Sequence, residues 1–278
     1  MDFATLIGLI IAFGAVVVAG WAGGTDPKVF LGRWDALVLI LGGTVGATML
    51  SFPMRTFMKG FMGGLKTVFS EPVYHERDII ATLVSFAEKA RREGLLALEN
   101  EAAALEDDFM RKGIQLVIDG RDTDVIRKVL ETEVSHVQEV GTKAEAVFSN
   151  MGGYSPTLGI IGTVLGLIGM LKGLAEMNGS SNVAGNIGGA TAQAFVATFF
   201  GILFANLLWL PMANKIKERS GQLLLLREIM IEGILSIQSG DNPRLLEERL
   251  HAFLDPQERE TEVEEGGSVA EQPSYSTS

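Results

Sequence analysis

Groups able to do acid, base, metal or nucleophile chemistry are missing where this chain is most apolar. Cysteine is absent, and the three histidines, His75, His136 and His251, lie far apart with no metal-ligand spacing. They read as ordinary surface or core residues. Four stretches, about residues 3–21, 36–52, 154–171 and 187–210, contain no Asp, Glu, Lys, Arg or His. The deepest polar groups in the last two are the hydroxyls of Thr163 and Thr198. Such a hydroxyl commonly bonds the carbonyl one turn earlier in its own helix. It can instead offer an oxygen to a hard cation, and both readings stay open. An ion path through a membrane needs an ionisable or strongly coordinating group near its middle. With no carboxylate in any apolar stretch, either the chain does not conduct or a partner helix supplies the acid.

Around these hydroxyls the small residues are periodic. Gly159, Gly162, Gly166, Gly169 and Gly173 alternate spacings of 3 and 4, and so do Thr191, Ala194, Thr198, Gly201 and Ala205. Each set marks one face of one helix, the seam by which helix backbones approach closely in lipid. Packing between the two helices accounts for most of these positions, and a second subunit or a pathway for the remainder.

The elements that must carry these residues are membrane helices. Hydrophobic residues make up 47% of the 278-residue chain, and mean hydropathy is +0.27. Each of the four stretches is near the 20 or so apolar residues that a bilayer requires. The first has no basic leader and a second span follows closely, so it reads as a mature helix paired with the second. Of 23 Lys and Arg, only Lys28, Arg33 and Lys172 fall in the two short connections. The other twenty fall in residues 55–153 and after Pro211, several near span ends, which places both termini and the middle segment in the cytoplasm. A net charge of -11 argues against nucleic acid as a partner.

The expected fold class is an all-α membrane protein, with four transmembrane helices and a helical cytoplasmic domain inserted between spans two and three. The boundaries read 1–54 for spans one and two, 55–153 for the cytoplasmic domain, 154–212 for spans three and four, 213–254 for C-terminal cytoplasmic helices and 255–278 for an acidic tail. Ile79, Ile80, Leu83, Val84 and Ala87 share a helical face, as do Val125, Ile126, Val129, Leu130, Val134 and Val137. Asp122 or Thr123 caps the latter helix, and Gly94, Gly113 and Gly120 punctuate the run. Pro156 reads as a helix start and Pro211 as a helix end. A polar stretch then leads to a helix over 223–237, a turn at 239–243 and a short helix over 244–254. The tail after Pro256 has too few large apolar residues to fold and is expected to be disordered.

The run Pro156-Thr-Leu-Gly-Ile-Ile-Gly-Thr-Val-Leu-Gly-Leu-Ile168 resembles the third span of the MotA/PomA family of flagellar stator subunits. Ala197-Thr-Phe-Phe-Gly-Ile-Leu-Phe-Ala-Asn206, with Pro211, is similar to the fourth, and Leu41-Gly-Gly-Thr-Val-Gly46 with Ser51-Phe-Pro53 to the second. Arg91-Arg-Glu-Gly-Leu-Leu-Ala-Leu-Glu99 resembles the family's charged cytoplasmic motif. Gly233-Ile-Leu-Ser-Ile-Gln-Ser-Gly-Asp-Asn-Pro-Arg244 resembles its C-terminal signature. The likeness covers roughly residues 1–254.

What the resemblance implies is a homopentamer in the bacterial inner membrane around two copies of a MotB/PomB-type single-span subunit, which brings the membrane aspartate. Ion flow would turn the pentamer against the rotor protein FliG. On the matching positions, Thr163 and Thr198 would line the ion path, and Pro156 and Pro211 would couple conformation. Arg91 and Glu99 would engage the rotor, with Arg92 and Lys89 as secondary positions; a solvated helix face is the plain alternative for all four. Sodium-driven members tend to have threonine at the position of Thr163 and many proton-driven members alanine, so sodium is favoured over the proton. No cofactor is implied beyond the transported Na+ or H+, and the remaining partner is membrane lipid. The rivals are an ExbB/TolQ-type energy transducer, which usually has three spans, and a membrane scaffold or passive channel. No nucleotide loop, metal cluster or nucleophile constellation suggests an enzyme.

Overall fold

The structure is a computed structural model that describes residues 3–24, 30, 32–70, 76–176 and 183–254. The expected acidic tail and part of both short connections lie outside them. Among the described residues there is no strand, and four helices are long and apolar enough to cross a membrane. The helices are α1 (Phe3–Ala22), α2 (Trp34–Ser51), α3 (Met54–Phe69), α4 (Glu76–Glu93), α5 (Glu99–Ala104), α6 (Asp108–Ile118), α7 (Thr123–Glu176), α8 (Val183–Phe204), α9 (Leu210–Ser239) and α10 (Pro243–His251). They form two compact units. One comprises Met1–Glu71 with Glu139–Ser220, and the other Pro72–Gln138 with Gly221–Ser278.

In the first unit α1 has no buried residue, as suits an apolar helix facing lipid. Its expected pairing was with α2. The packing it makes is against the Ala205–Trp209 stretch, with Lys215 donating to the hydroxyl of Thr5. Helix α2 buries Ala36 and Ile40 among Val196, Ala197 and Phe200. It stops where Phe52 turns extended before Pro53, because a proline ring disfavours helical backbone in the residue ahead of it. Helix α3 then turns Phe57, Gly60, Gly64 and Val68 inward. These spacings of 3 and 4 define one helical face, and the two glycines admit Val147 and Phe148 against the backbone. Phe57, Val68, Val147, Phe148, Trp209 and Ile216 share one core. That shared core explains why the compact unit extends past the expected boundary at residue 54.

Both prolines sit differently from expectation. Pro156 lies inside the 54-residue α7 and does not start a helix. Proline removes one hydrogen bond and crowds the carbonyl four residues back. That residue is Gly152, which has no side chain to add to the crowding, and Pro156 is the one proline in the helix. Pro211 does not end its helix either, since α9 continues to Ser239. Just before it, Ala205–Trp209 is π-helical, with the amide of Leu210 bonding the carbonyl of Ala205. The extra residue in that turn loosens the backbone where the proline ring must fit. The polar stretch expected between Pro211 and a helix at 223–237 is therefore helical throughout.

The second unit has its own core, with Leu83, Leu98, Ile114, Ile126, Leu130, Ile229 and Ile234 almost fully buried. The expected inward positions Ile79, Ile80, Leu83 and Ala87 are buried, whereas Val125 is exposed. Asp122 accepts from the amide of Asp124 and so caps α7. Gly94 and Gly120 do terminate helices, at φ of +88° and +68°. Gly113 does not. It lies within α6, where a Cβ would meet the Ile234 side chain at 2.3 Å. At the other end Asn242 caps α10 and Pro243 occupies its first turn, as the turn at 239–243 foretold.

Candidate functional site

The two small-residue seams meet. A Cβ on Gly159 would stand 3.0 Å from the Ala197 carbonyl oxygen and 3.1 Å from Thr198 Cα. One on Gly162 would reach Ala197 Cβ at 2.6 Å, and one on Gly166 would reach Ala194 Cβ at 2.8 Å. Helices α7 and α8 thus run antiparallel in backbone contact, which only the smallest side chains permit. Gly169 and Gly173 have open space instead. They help line a cavity of about 700 Å³ with Arg33 and Asp35, which form an ion pair, and with Leu165 and Ala197.

Within this contact the two threonine hydroxyls face each other. Thr163 Oγ1 lies 3.2 Å from the carbonyl oxygens of both Gly159 and Ala194. Thr198 Oγ1 lies 3.3 Å from the Gly159 carbonyl and in hydrogen-bonding contact with Thr163 Oγ1. Four oxygens from two helices therefore converge in an apolar wall. Thr163 thus makes both the local bond to the Gly159 carbonyl and contacts across to α8. Both threonines are only half-buried, and on α7 the neighbouring Ile160, Ile161, Val164 and Ile168 are exposed. Hydroxyl and carbonyl oxygens suit a hard cation that has shed part of its water, and the hydroxyls can also donate to a carboxylate.

Sequence reasoning missed Ser155. It is fully buried and donates to the Gly201 carbonyl at 2.9 Å. Its spacing of four residues from Gly159 continues the seam, which was the available signal. A second missed contact joins α2 to α7, where the hydroxyls of Ser51 and Tyr154 are 2.8 Å apart. No periodicity announced it, because it pairs residues 103 apart in sequence. The prolines are linked through their neighbours. Gly152 packs directly on Leu210, and a Cβ on Gly152 would meet Leu210 Cδ2 at 2.4 Å.

The charged positions belong to the other unit, around the α4–α5 corner that Gly94 allows. Leu98 anchors this corner in the core. Arg91 and Glu99 are exposed, and among the described residues neither has a side-chain partner. Arg92 is exposed and pairs with Glu88 at 3.3 Å. Lys89 instead bridges to Glu101. The hydrogen bond that Lys89 donates to the Glu101 carboxylate raises its pKa above the ordinary lysine value. The four residues thus divide into two with free heads and two already engaged.

Comparison with known proteins accords with this geometry. Residues 101–229 match the MotA/TolQ/ExbB proton channel family. Motility protein A of Treponema phagedenis is 36% identical over 265 residues, 95% of this chain and 98% of the relative. The chemotaxis protein PomA of Vibrio alginolyticus is 33% identical over 268 residues, 95% of this chain and 100% of the relative. Among solved structures, the flagellar MotAB stator complex from Bacillus subtilis matches with a TM-score of 0.84 and 34% identity, covering 93% of this chain and 98% of that one. Likeness at this level over nearly the whole length extends well beyond the segment shared with TolQ and ExbB, and it carries the all-helical membrane fold with it. The chain belongs to the MotA/PomA branch of the MotA/TolQ/ExbB proton channel family.

Proposed function

We propose that this chain is the torque-generating stator subunit of a sodium-driven flagellar motor in the bacterial inner membrane, with both termini and the α3–α6 segment cytoplasmic. Five copies surround two single-span MotB/PomB-type subunits, whose membrane carboxylate completes the ion site. The observation that carries this reading is the Thr163–Thr198 oxygen cluster in spans that contain no acid of their own. A sodium ion leaving water needs replacement oxygens, and the two hydroxyls with the Gly159 and Ala194 carbonyls offer them. A proton passed along hydrogen bonds needs no such cage. Arg91 and Glu99, with free heads on the α4–α5 corner, meet charges on the rotor protein FliG. Pro156 and Pro211 mark helix turns whose hydrogen bonding is already relaxed, so rearrangement there costs less.

The test is swimming speed across a sodium series at fixed pH and membrane potential. Speed should rise with sodium and fall to near zero without it. Speed unchanged in sodium-free medium would assign the motor to protons.

A further inference from the structure

Helix α3 carries a second surface with a purpose of its own. Its inward face is occupied by Phe57, Gly60, Gly64 and Val68. The opposite face presents Met54, Met58 and Met62, which are 58%, 49% and 59% exposed, in a row four residues apart. Beside them on the same face stand Arg55, Lys59 and Lys66, all exposed. No acidic residue occurs in α3, and among the described residues these three cations have no ion-pair partner. The position of the helix is equally specific. It follows the last turn of membrane helix α2, where Leu50 is 92% exposed, across the Phe52–Pro53 corner. It is held at the level where the membrane helices turn polar. Gly60 packs against the backbone of Lys143, and Arg219 donates to the Thr67 carbonyl.

We propose that the outer face of α3 is a binding surface for anionic phospholipid of the cytoplasmic leaflet, with the methionine row in the acyl boundary and Arg55, Lys59 and Lys66 on headgroup phosphates. An amphipathic helix with long basic side chains flanking an apolar row lies in the interface plane, its ammonium and guanidinium groups reaching for phosphate. The position of α3 directly after a membrane helix favours lipid over a soluble acidic protein, which is the alternative outcome of the test below. A second copy offering the same face would bring cation against cation. The inference rests on α2 crossing a membrane with α3 on its cytoplasmic side, as proposed above, and is independent of the motor reading.

The absence of cysteine from the chain makes the test direct. Met58→Cys and Met62→Cys, each labelled with an environment-sensitive fluorophore, are reconstituted as the full chain in phosphatidylcholine nanodiscs. The discs carry equal mole fractions of nitroxide-labelled phosphatidylglycerol or nitroxide-labelled phosphatidylcholine, with the nitroxide near the glycerol. Both lipids should quench, and phosphatidylglycerol more strongly. Each basic residue near an anionic surface gives about a fivefold preference (roughly 1 kcal/mol). Lys59→Gln or Lys66→Gln should therefore lower the preference by about that factor, while Lys59→Arg keeps it. Unchanged quenching by phosphatidylcholine in the glutamine variants would show that the helix is still in place. Raising the salt should erode the preference without any mutation. Equal quenching by the two lipids overturns the headgroup site. No quenching by either means that protein covers this face, and the proposal fails.

Discussion

A methyl group added to Gly201 would lie 2.9 Å from Gly159 Cα and 2.7 Å from the Ser155 carbonyl oxygen. Both obstacles are backbone, so neither can swing aside. Gly201→Ala should therefore force α7 and α8 apart at a cost of about 1–3 kcal/mol, partly offset by the better helix propensity of alanine, about 1 kcal/mol. Gly201→Val, without that offset, should abolish accumulation. Gly169→Ala, which meets only open space, should be silent in the same membrane-fraction immunoblot. Similar loss at both sites would contradict the seam.

Thr163 and Thr198 share the Gly159 carbonyl as an acceptor and bond each other, so their substitutions should not be additive. Thr163→Ala should lower sodium-dependent speed and raise the sodium needed for half-maximal speed several-fold, with Thr163→Ser nearly normal. The double alanine variant should be little worse than the stronger single one, as expected for groups acting as a unit. A motor indifferent to Thr163→Ala would remove the hydroxyl from the ion path.

Arg91→Glu and Glu99→Lys should impair swimming while membrane levels and partner co-purification stay normal, because exposed charges without partners contribute little to stability. Charge reversal on the rotor should return part of the speed. Arg92→Glu, which loses an exposed pair with Glu88, should be milder. Failure of the Arg91 or Glu99 variants to accumulate would make these charges structural.

Lys89 is expected to hold the corner and not the rotor. Its pKa is raised chiefly by the hydrogen bond to Glu101. A raised lysine pKa stabilises the fold fully below the unfolded value and is lost only as pH climbs through the folded one. The melting difference between the parent protein and Lys89→Met should thus be constant from about pH 6 to about pH 10 and shrink only above the ordinary lysine value. A difference that vanished near neutral pH would refute the pairing.

Topology can be read with introduced cysteines. Labels at residues 63 and 219 should require permeabilised inner membranes, and a label at residue 24 should not. Reversal of that pattern would turn the whole chain over and end the cytoplasmic assignment of Arg91 and Glu99.

The sequence by itself determined the number of apolar spans, the two small-residue faces, a cap at Asp122 or Thr123, the turn at 239–243 and the Gly94 and Gly120 stops. Each depends on residues within a turn or two, where periodicity and backbone preference act locally. It also located Thr163 and Thr198 as the deepest hydroxyls. Only tertiary structure decided that these hydroxyls face each other across 35 residues of chain, and that Lys89 is engaged while Arg91 is not. The prolines were misjudged for the same reason. A proline's local preference is to begin or end a helix, but Gly152 packed on Leu210 and the π-helical turn before Pro211 let both helices run through. Gly113 likewise reads as a breaker in sequence and serves as a socket for Ile234 in the fold. Local preferences are worth about 1 kcal/mol for glycine and about 3 kcal/mol for proline; burial of a helix face outweighs them in the second unit, and in lipid the need to keep backbone groups hydrogen-bonded does.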